Sequence, residues 1–129
     1  MGRVAVVTGG TRGIGQAISV ALKNKGYRVA ANYAGNDVAA RQFQADTGIP
    51  IYKWNVADYA SCQEGINRIT HDVGAIDVLV NNAGITRDGV LHRMSKENWD
   101  AVIRTNLDSV FNMTRLVIDG MRSRGFGRI

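Results

Sequence analysis

One cysteine, Cys62, and one proline, Pro50, are all that the 129 residues hold of either type. A lone cysteine excludes an internal disulfide and suits a reducing compartment. Long apolar runs are missing too: none approaches the roughly 20 residues that cross a bilayer, which argues against a membrane partner. The start, Met1-Gly2-Arg3-Val4-Ala5-Val6-Val7, has neither the length nor the cleavage pattern of a secretory signal. A cytoplasmic setting is expected. Histidine is scarce as well. His71 and His92 have no metal-ligating partner at a workable spacing and no nucleophile beside them, so no metal site is expected and both read as surface residues. Acidic residues are outnumbered, 11 against 16 Lys and Arg, for a formal charge of +5. That balance favours acidic partners, either nucleic acid or small phosphorylated ligands, without choosing between them.

What is present is ordinary for a folded domain. Apolar residues make up 45% and charged residues 21%, which excludes disorder, collagen and coiled coil. The length suits one domain, residues 1–129, with no room for a separate substrate domain. Such a chain buries roughly 65–70% of its unfolded surface, enough for a real core.

Four short apolar runs predict strands: Val4–Val7, Arg28–Ala31, Ile51–Trp54 and Val78–Val80. The first is β-branched on both sides of one alanine, as a strand buried on both faces should be. Between the runs lie helical spacings. Ile14, Ala17, Ile18, Ala21 and Leu22 repeat at three and four residues, with Gly26 as a stop. Val38–Phe43 predicts a shorter helix, and Asp58 caps one that carries Ile66, Ile69 and Val73 and closes at Gly74. After the loop Asn81–Met94, Ser95 reads as a cap with Glu97 in the first turn, and a long stripe runs from Trp99 to Met121. The tail reads as a glycine turn and the first step of another strand. The order β-α-β-α-β-α-β, with right-handed crossovers, gives an α/β fold: a doubly wound parallel sheet in three α-β-α layers.

Two segments carry chemistry. The first strand runs into Thr8-Gly9-Gly10-Thr11-Arg12-Gly13-Ile14-Gly15, where a helix opens. A strand–glycine–helix turn aims backbone N–H groups and the positive helix end at one point, which suits a phosphate. The spacing, Gly9, Gly13 and Gly15, assigns one glycine to the turn, one to ligand approach and one to helix packing. No Gly-Lys-Ser/Thr follows, so a triphosphate loop is disfavoured. Asn81-Asn82-Ala83-Gly84 closes the fourth strand, which in a doubly wound sheet lies beside the first at the switch point where ligands bind.

Together, Thr8–Gly15 and Asn81–Gly84 resemble the two N-terminal signatures of the short-chain dehydrogenase/reductase family, a Rossmann-like fold. More narrowly, Asn82-Ala-Gly-Ile-Thr-Arg-Asp88, Trp99-Asp-Ala-Val-Ile, Asn106-Leu and Val117-Ile-Asp-Gly-Met121 through Gly127-Arg-Ile129 resemble the acetoacetyl-CoA reductases. They are also similar to the 3-oxoacyl-[acyl carrier protein] reductases. The resemblance implies NADPH-dependent reduction of a 3-oxoacyl thioester on CoA or acyl carrier protein. It implies a cofactor-binding set of Gly9, Thr11, Arg12, Gly13, Ile14, Gly15, Asn32, Arg41, Asn82, Ala83, Gly84, Ile85 and Thr86, with Trp54, Asn55 and Val56 bordering the adenine. It makes Asp88 a substrate contact and Asn106 a catalytic residue that holds a relay water through its backbone. Asn106 also breaks the apolar stripe, so its amide is expected to be buried and to need partners.

NADP is favoured over NAD on physical grounds. An NAD site places a carboxylate at the end of the second strand, but Ala30-Ala31-Asn32-Tyr33 has none, and Asp37 sits past the strand end. Arg12 and Arg41 offer guanidinium groups, which match phosphate. The family's proton donor is a tyrosine with a lysine four residues later. Here Tyr27, Tyr33, Tyr52 and Tyr59 are followed at that distance by Ala31, Asp37, Val56 and Gln63. The resemblance therefore implies the cofactor-binding half of such an enzyme, truncated after the fourth strand and its following helices, and inactive alone. The fourth strand is expected to be an unpaired edge, and with the helices of Trp99–Met121 it predicts self-association into a homo-oligomer. Arg115, Arg122, Arg124 and Arg128 alone suggest nucleic acid; no recognition motif supports it, and none is expected to bind.

Overall fold

The computed structural model describes residues 2–129. Val4–Val7 forms β1, and all four residues are buried, so it needs cover on both faces. It gets that cover by alternation. Val4 and Val6 join Ile66 and Ile69 of α3 (Tyr59–Asp72) and Met113, Val117 and Met121 of α5 (Ser109–Arg124). Ala5 and Val7 join Ile18 and Leu22 of α1 (Gly13–Asn24) and Phe43 of α2 (Asp37–Thr47). The other strands are β2 (Arg28–Tyr33), β3 (Ile51–Lys53) and β4 (Ile76–Val80). All pairs are parallel and the order is β3-β2-β1-β4. The result is a three-layer, Rossmann-like doubly wound sheet. The chain works outward from β1 to β3, then crosses back to the other side of β1, so the switch point lies at the carboxyl ends of β1 and β4. Among the described residues no helix is long and apolar enough to cross a membrane.

Several boundaries and faces differ from the sequence pattern. The helix expected over Val38–Phe43 runs on to Thr47 and stops at Gly48. The buried face of α1 is Gly15 and Ser19, while Ile14 is 75% exposed and Ala17 and Ala21 are also exposed. The helix lies against backbone instead of side chains there: the Ser19 hydroxyl donates to the Gly10 carbonyl at 2.9 Å. Small residues win where a helix meets a main chain.

The long stripe is two helices, α4 (Lys96–Ile103) and α5, joined by a π-helical turn at Arg104–Asp108. The wider turn resets the helical phase. Leu107 and Phe111 face solvent, as does Trp99 on α4, and the buried face of α5 includes Ser109 and Asn112, whose amide donates to the Val56 carbonyl at 2.9 Å. The edge of β4 is partly paired. Beyond Gly125, Arg128 lies parallel to it, accepting from Leu79 N at 2.9 Å and donating to the Asp77 carbonyl at 3.0 Å.

Candidate functional site

Between β1 and α1 the chain makes a tight double turn. Gly9 and Gly13 have φ of +59° and +58°, the left-handed region that side chains avoid. Gly15 is required for a different reason: a Cβ there would lie 2.0 Å from the Gly9 carbonyl oxygen and 2.6 Å from Asn82 Nδ2. Gly10, outside the expected triad, is pressed in the same way, 2.8 Å from the Val7 carbonyl oxygen and 2.9 Å from Ser19 Oγ.

Helices α2, α3 and α4 start with a side-chain cap, from Asn36, Asp58 and Ser95 respectively. Helix α1 does not. Its cap position, Arg12, is fully extended and offers no side-chain acceptor. The first amides of α1 have no carbonyl one turn back. They are left at the positive end of the helix, facing the turn.

A hydroxyl staples the two walls of the site. Thr8 Oγ1 accepts from Asn82 N at 3.0 Å and Ala83 N at 2.9 Å and donates to the Val80 carbonyl at 3.3 Å. In return the Asn82 amide donates to the carbonyls of Thr8 and Gly9 at 3.0 and 3.1 Å. Asn32, only 2% exposed, braces the other side. Its oxygen accepts from Gly9 N at 3.3 Å and its nitrogen donates to the Trp54 carbonyl at 3.1 Å.

These contacts frame a cleft of about 410 Å³ at the switch point. Gly9, Thr11, Arg12, Gly13, Ile14 and Gly15 form one wall, and Asn82, Ala83, Gly84 and Ile85 the opposite one. Asn32, Trp54, Asn55 and Val56 form the floor and far end. The structure does not bring Arg41 into the cleft: it is exposed on α2. Nor does it bring in Thr86 or Asp88. They line a second cavity, about 450 Å³, with Trp99, Val102 and Asn106, and Ile85 lines both spaces.

Asn106 is exposed, contrary to the burial its place in the stripe suggests. It sits in the π-helical turn, where its carboxamide clasps the backbone of one loop residue: Oδ1 accepts from Ile85 N at 2.8 Å and Nδ2 donates to the Ile85 carbonyl at 3.0 Å. The amide is satisfied across the loop and needs no burial.

The sequence profile of the short chain dehydrogenase family matches residues 3–129, and so takes in both walls. The chain belongs to this family. An acetoacetyl-CoA reductase of Shinella zoogloeoides is 62% identical over 129 residues, which is all of this chain and 54% of that protein. One from Rhizobium meliloti (strain 1021) is 61% identical with the same coverage. A 3-oxoacyl-[acyl-carrier-protein] reductase of Vibrio harveyi is 40% identical over 130 residues, covering 99% of this chain and 53% of its own length. The chain spans about half the length of these relatives.

The cleft is also lined by residues the sequence did not single out: Tyr33, Ala34, Gly35, Asn36 and Thr105. Asn36 carried a usable signal, a capping residue directly before the helix. Tyr33 had none, because its role depends on the neighbouring strand. Its hydroxyl donates to Asp37 Oδ1 at 3.0 Å, and Lys53 Nζ lies 3.1 Å from the same oxygen. The Lys53 hydrogen bond, then that of Tyr33, holds the Asp37 carboxyl below its ordinary range.

Proposed function

We propose that this chain forms the dinucleotide-binding part, residues 1–129, of an NADPH-dependent reductase that converts a 3-oxoacyl thioester, acetoacetyl-CoA, to 3-hydroxybutanoyl-CoA in the cytoplasm. The observation that carries the reading is the uncapped start of α1, which opens on a switch-point cleft whose other wall is stapled to it through Thr8. The donor set suits a pyrophosphate: amides of Arg12, Gly13, Ile14 and Gly15 at a positive helix end, with no carboxylate lining the cleft. Bound NADPH would supply the hydride. Trp54, Asn55 and Val56 would border its adenine, Asn82–Ile85 would back the nicotinamide, and Arg12 would meet the 2′-phosphate.

On this reading Asn106, with its side chain committed to Ile85, serves through its backbone by holding a relay water, and Asp88 faces substrate in the second cavity. The similarity to 3-oxoacyl-[acyl-carrier-protein] reductases supports the acyl carrier protein thioester as the alternative substrate. The lack of any Tyr-x-x-x-Lys within these residues supports a chain that binds nucleotide without reducing anything by itself.

Titration of the chain with NADPH and NADH tests the reading. NADPH is expected to bind tighter by about tenfold, and Arg12→Ala to remove most of that difference, as suits one charge-assisted contact. Equal affinities would undo the Arg12 assignment, and binding of neither nucleotide would undo the function.

The exposed Leu107, Val110 and Phe111, with the half-buried Ile118, line an apolar groove of about 520 Å³ along the π-helical turn and the outer face of α5, and we assign it to a second copy of the chain. Light scattering should show a dimer or larger, with Phe111→Glu reducing it to monomer. A monodisperse wild-type monomer would reject the assignment.

A further inference from the structure

A carboxylate at the end of the second strand selects NAD, because it accepts from the ribose 2′-hydroxyl and repels a 2′-phosphate. This chain has a carboxylate close to that place. Asp37 opens α2 directly after Tyr33–Asn36, the stretch that lines the cleft, yet Asp37 itself does not line it. Both of its oxygens are engaged elsewhere. The Tyr33 hydroxyl donates to Oδ1 at 3.0 Å, and Lys53 Nζ lies 3.1 Å from Oδ1 and 3.2 Å from Oδ2.

The sheet itself builds this clamp. Tyr33 and Lys53 are register partners at the carboxyl ends of β2 and β3, so their side chains rise side by side from the same face. Asp37 lies between their tips. An exposed ion pair alone is weak and screened by salt. The Tyr33 hydroxyl adds a second donor at fixed geometry.

We propose that Tyr33 and Lys53 set the cofactor preference by holding the Asp37 carboxylate out of the cleft, leaving room for the 2′-phosphate of NADPH. The inference rests on the dinucleotide reading above. It adds that preference depends on residues whose role is to restrain an acid, where that reading invokes only a cation that attracts a phosphate. A clamp of this kind predicts that freeing Asp37 weakens NADPH selectively, and that removing its charge cancels the effect.

The test is a set of fluorescence titrations with NADPH and NADH on the chain and four variants: Lys53→Met, Tyr33→Phe with Lys53→Met, that pair with Asp37→Asn, and Asp37→Asn alone. The double variant should raise the NADPH dissociation constant about fivefold or more and leave NADH unchanged or tighter. Lys53→Met alone should give a smaller shift in the same direction. Adding Asp37→Asn should return the ratio to that of the wild type, and Asp37→Asn alone should leave NADPH binding intact. An unmoved ratio in the double variant overturns the inference. So does a loss that persists once Asp37 is asparagine, since Lys53 would then be touching the phosphate itself. Loss of both nucleotides by the double variant also overturns it, because the pair would be serving the fold. Failure of the wild-type chain to bind either nucleotide overturns the dinucleotide reading along with it, whereas tight NADPH binding with an unmoved ratio removes only the clamp.

Discussion

Thr8→Val is expected to cost about 2 kcal/mol of stability and to loosen the join between the two walls of the cleft. Valine fills the same space, so the buried packing of this 2%-exposed residue is retained. What is lost is a hydroxyl that accepts from Ala83 N and shares Asn82 N with the Val80 carbonyl, which Asn82 N also reaches at 3.1 Å and which keeps the residue-8 amide at 3.1 Å. Ala83 N, half-buried in the cleft wall, is the donor left without a protein partner. An unpaired donor costs about 1–3 kcal/mol, partly relieved by relaxation of the Asn82 loop. Thermal unfolding should move down by about 7 °C for a chain of this size. Thr8→Ser keeps the hydroxyl and removes one methyl, so it should cost only about 1 kcal/mol. If valine and serine behave alike, the staple between the walls is not what holds the cleft.

Gly15→Ala is the second large effect, and its sign opposes helix propensity. In a free helix alanine is better than glycine by about 1 kcal/mol. At this position the added methyl would sit 2.0 Å from the Gly9 carbonyl oxygen, and main chain cannot step aside as a flexible side chain would. Helix and loop must separate. A stability loss of about 2–4 kcal/mol is expected, within the range of severe overpacking. NADPH binding should fall by about a hundredfold, because the amides of the mouth no longer converge. Gly13→Ala separates shape from strain. Gly13 has a positive φ, but a methyl added there would meet nothing within 4 Å, so only a backbone cost of about 1–2 kcal/mol applies. A Gly15→Ala chain that binds NADPH like the wild type would show that the close approach is unimportant.

Much of the fold was legible because its signals are local. The unbroken apolar run of β1 announces a strand covered on both faces, and Asp58 and Ser95 announce helix starts through their own side chains. The glycine turn was legible for the same reason. Features set by distant partners were not. The exposed end of α2, Gln44–Thr47, carries no apolar period, so nothing in the pattern extends the helix past Phe43. The buried face of α1 is decided by the backbone it touches, which leaves Ile14 outside although its spacing fits the stripe. The π-helical turn inserts a phase change that side-chain spacing cannot reveal. Asn106 stands out in the sequence as a polar interruption, but its partner, the Ile85 backbone, lies 21 residues away. Tyr33 and Lys53 become neighbours only through strand register.

Amide hydrogen exchange, compared residue by residue with and without NADPH, tests the central claim most directly. The unpaired amides at the start of α1, from Gly13 to Gly15, should gain the most protection, with smaller gains along Tyr33–Asn36 and Asn82–Ile85. Protection confined to the outer face of α5, or absent from the glycine turn, would contradict the assignment of that turn to a pyrophosphate.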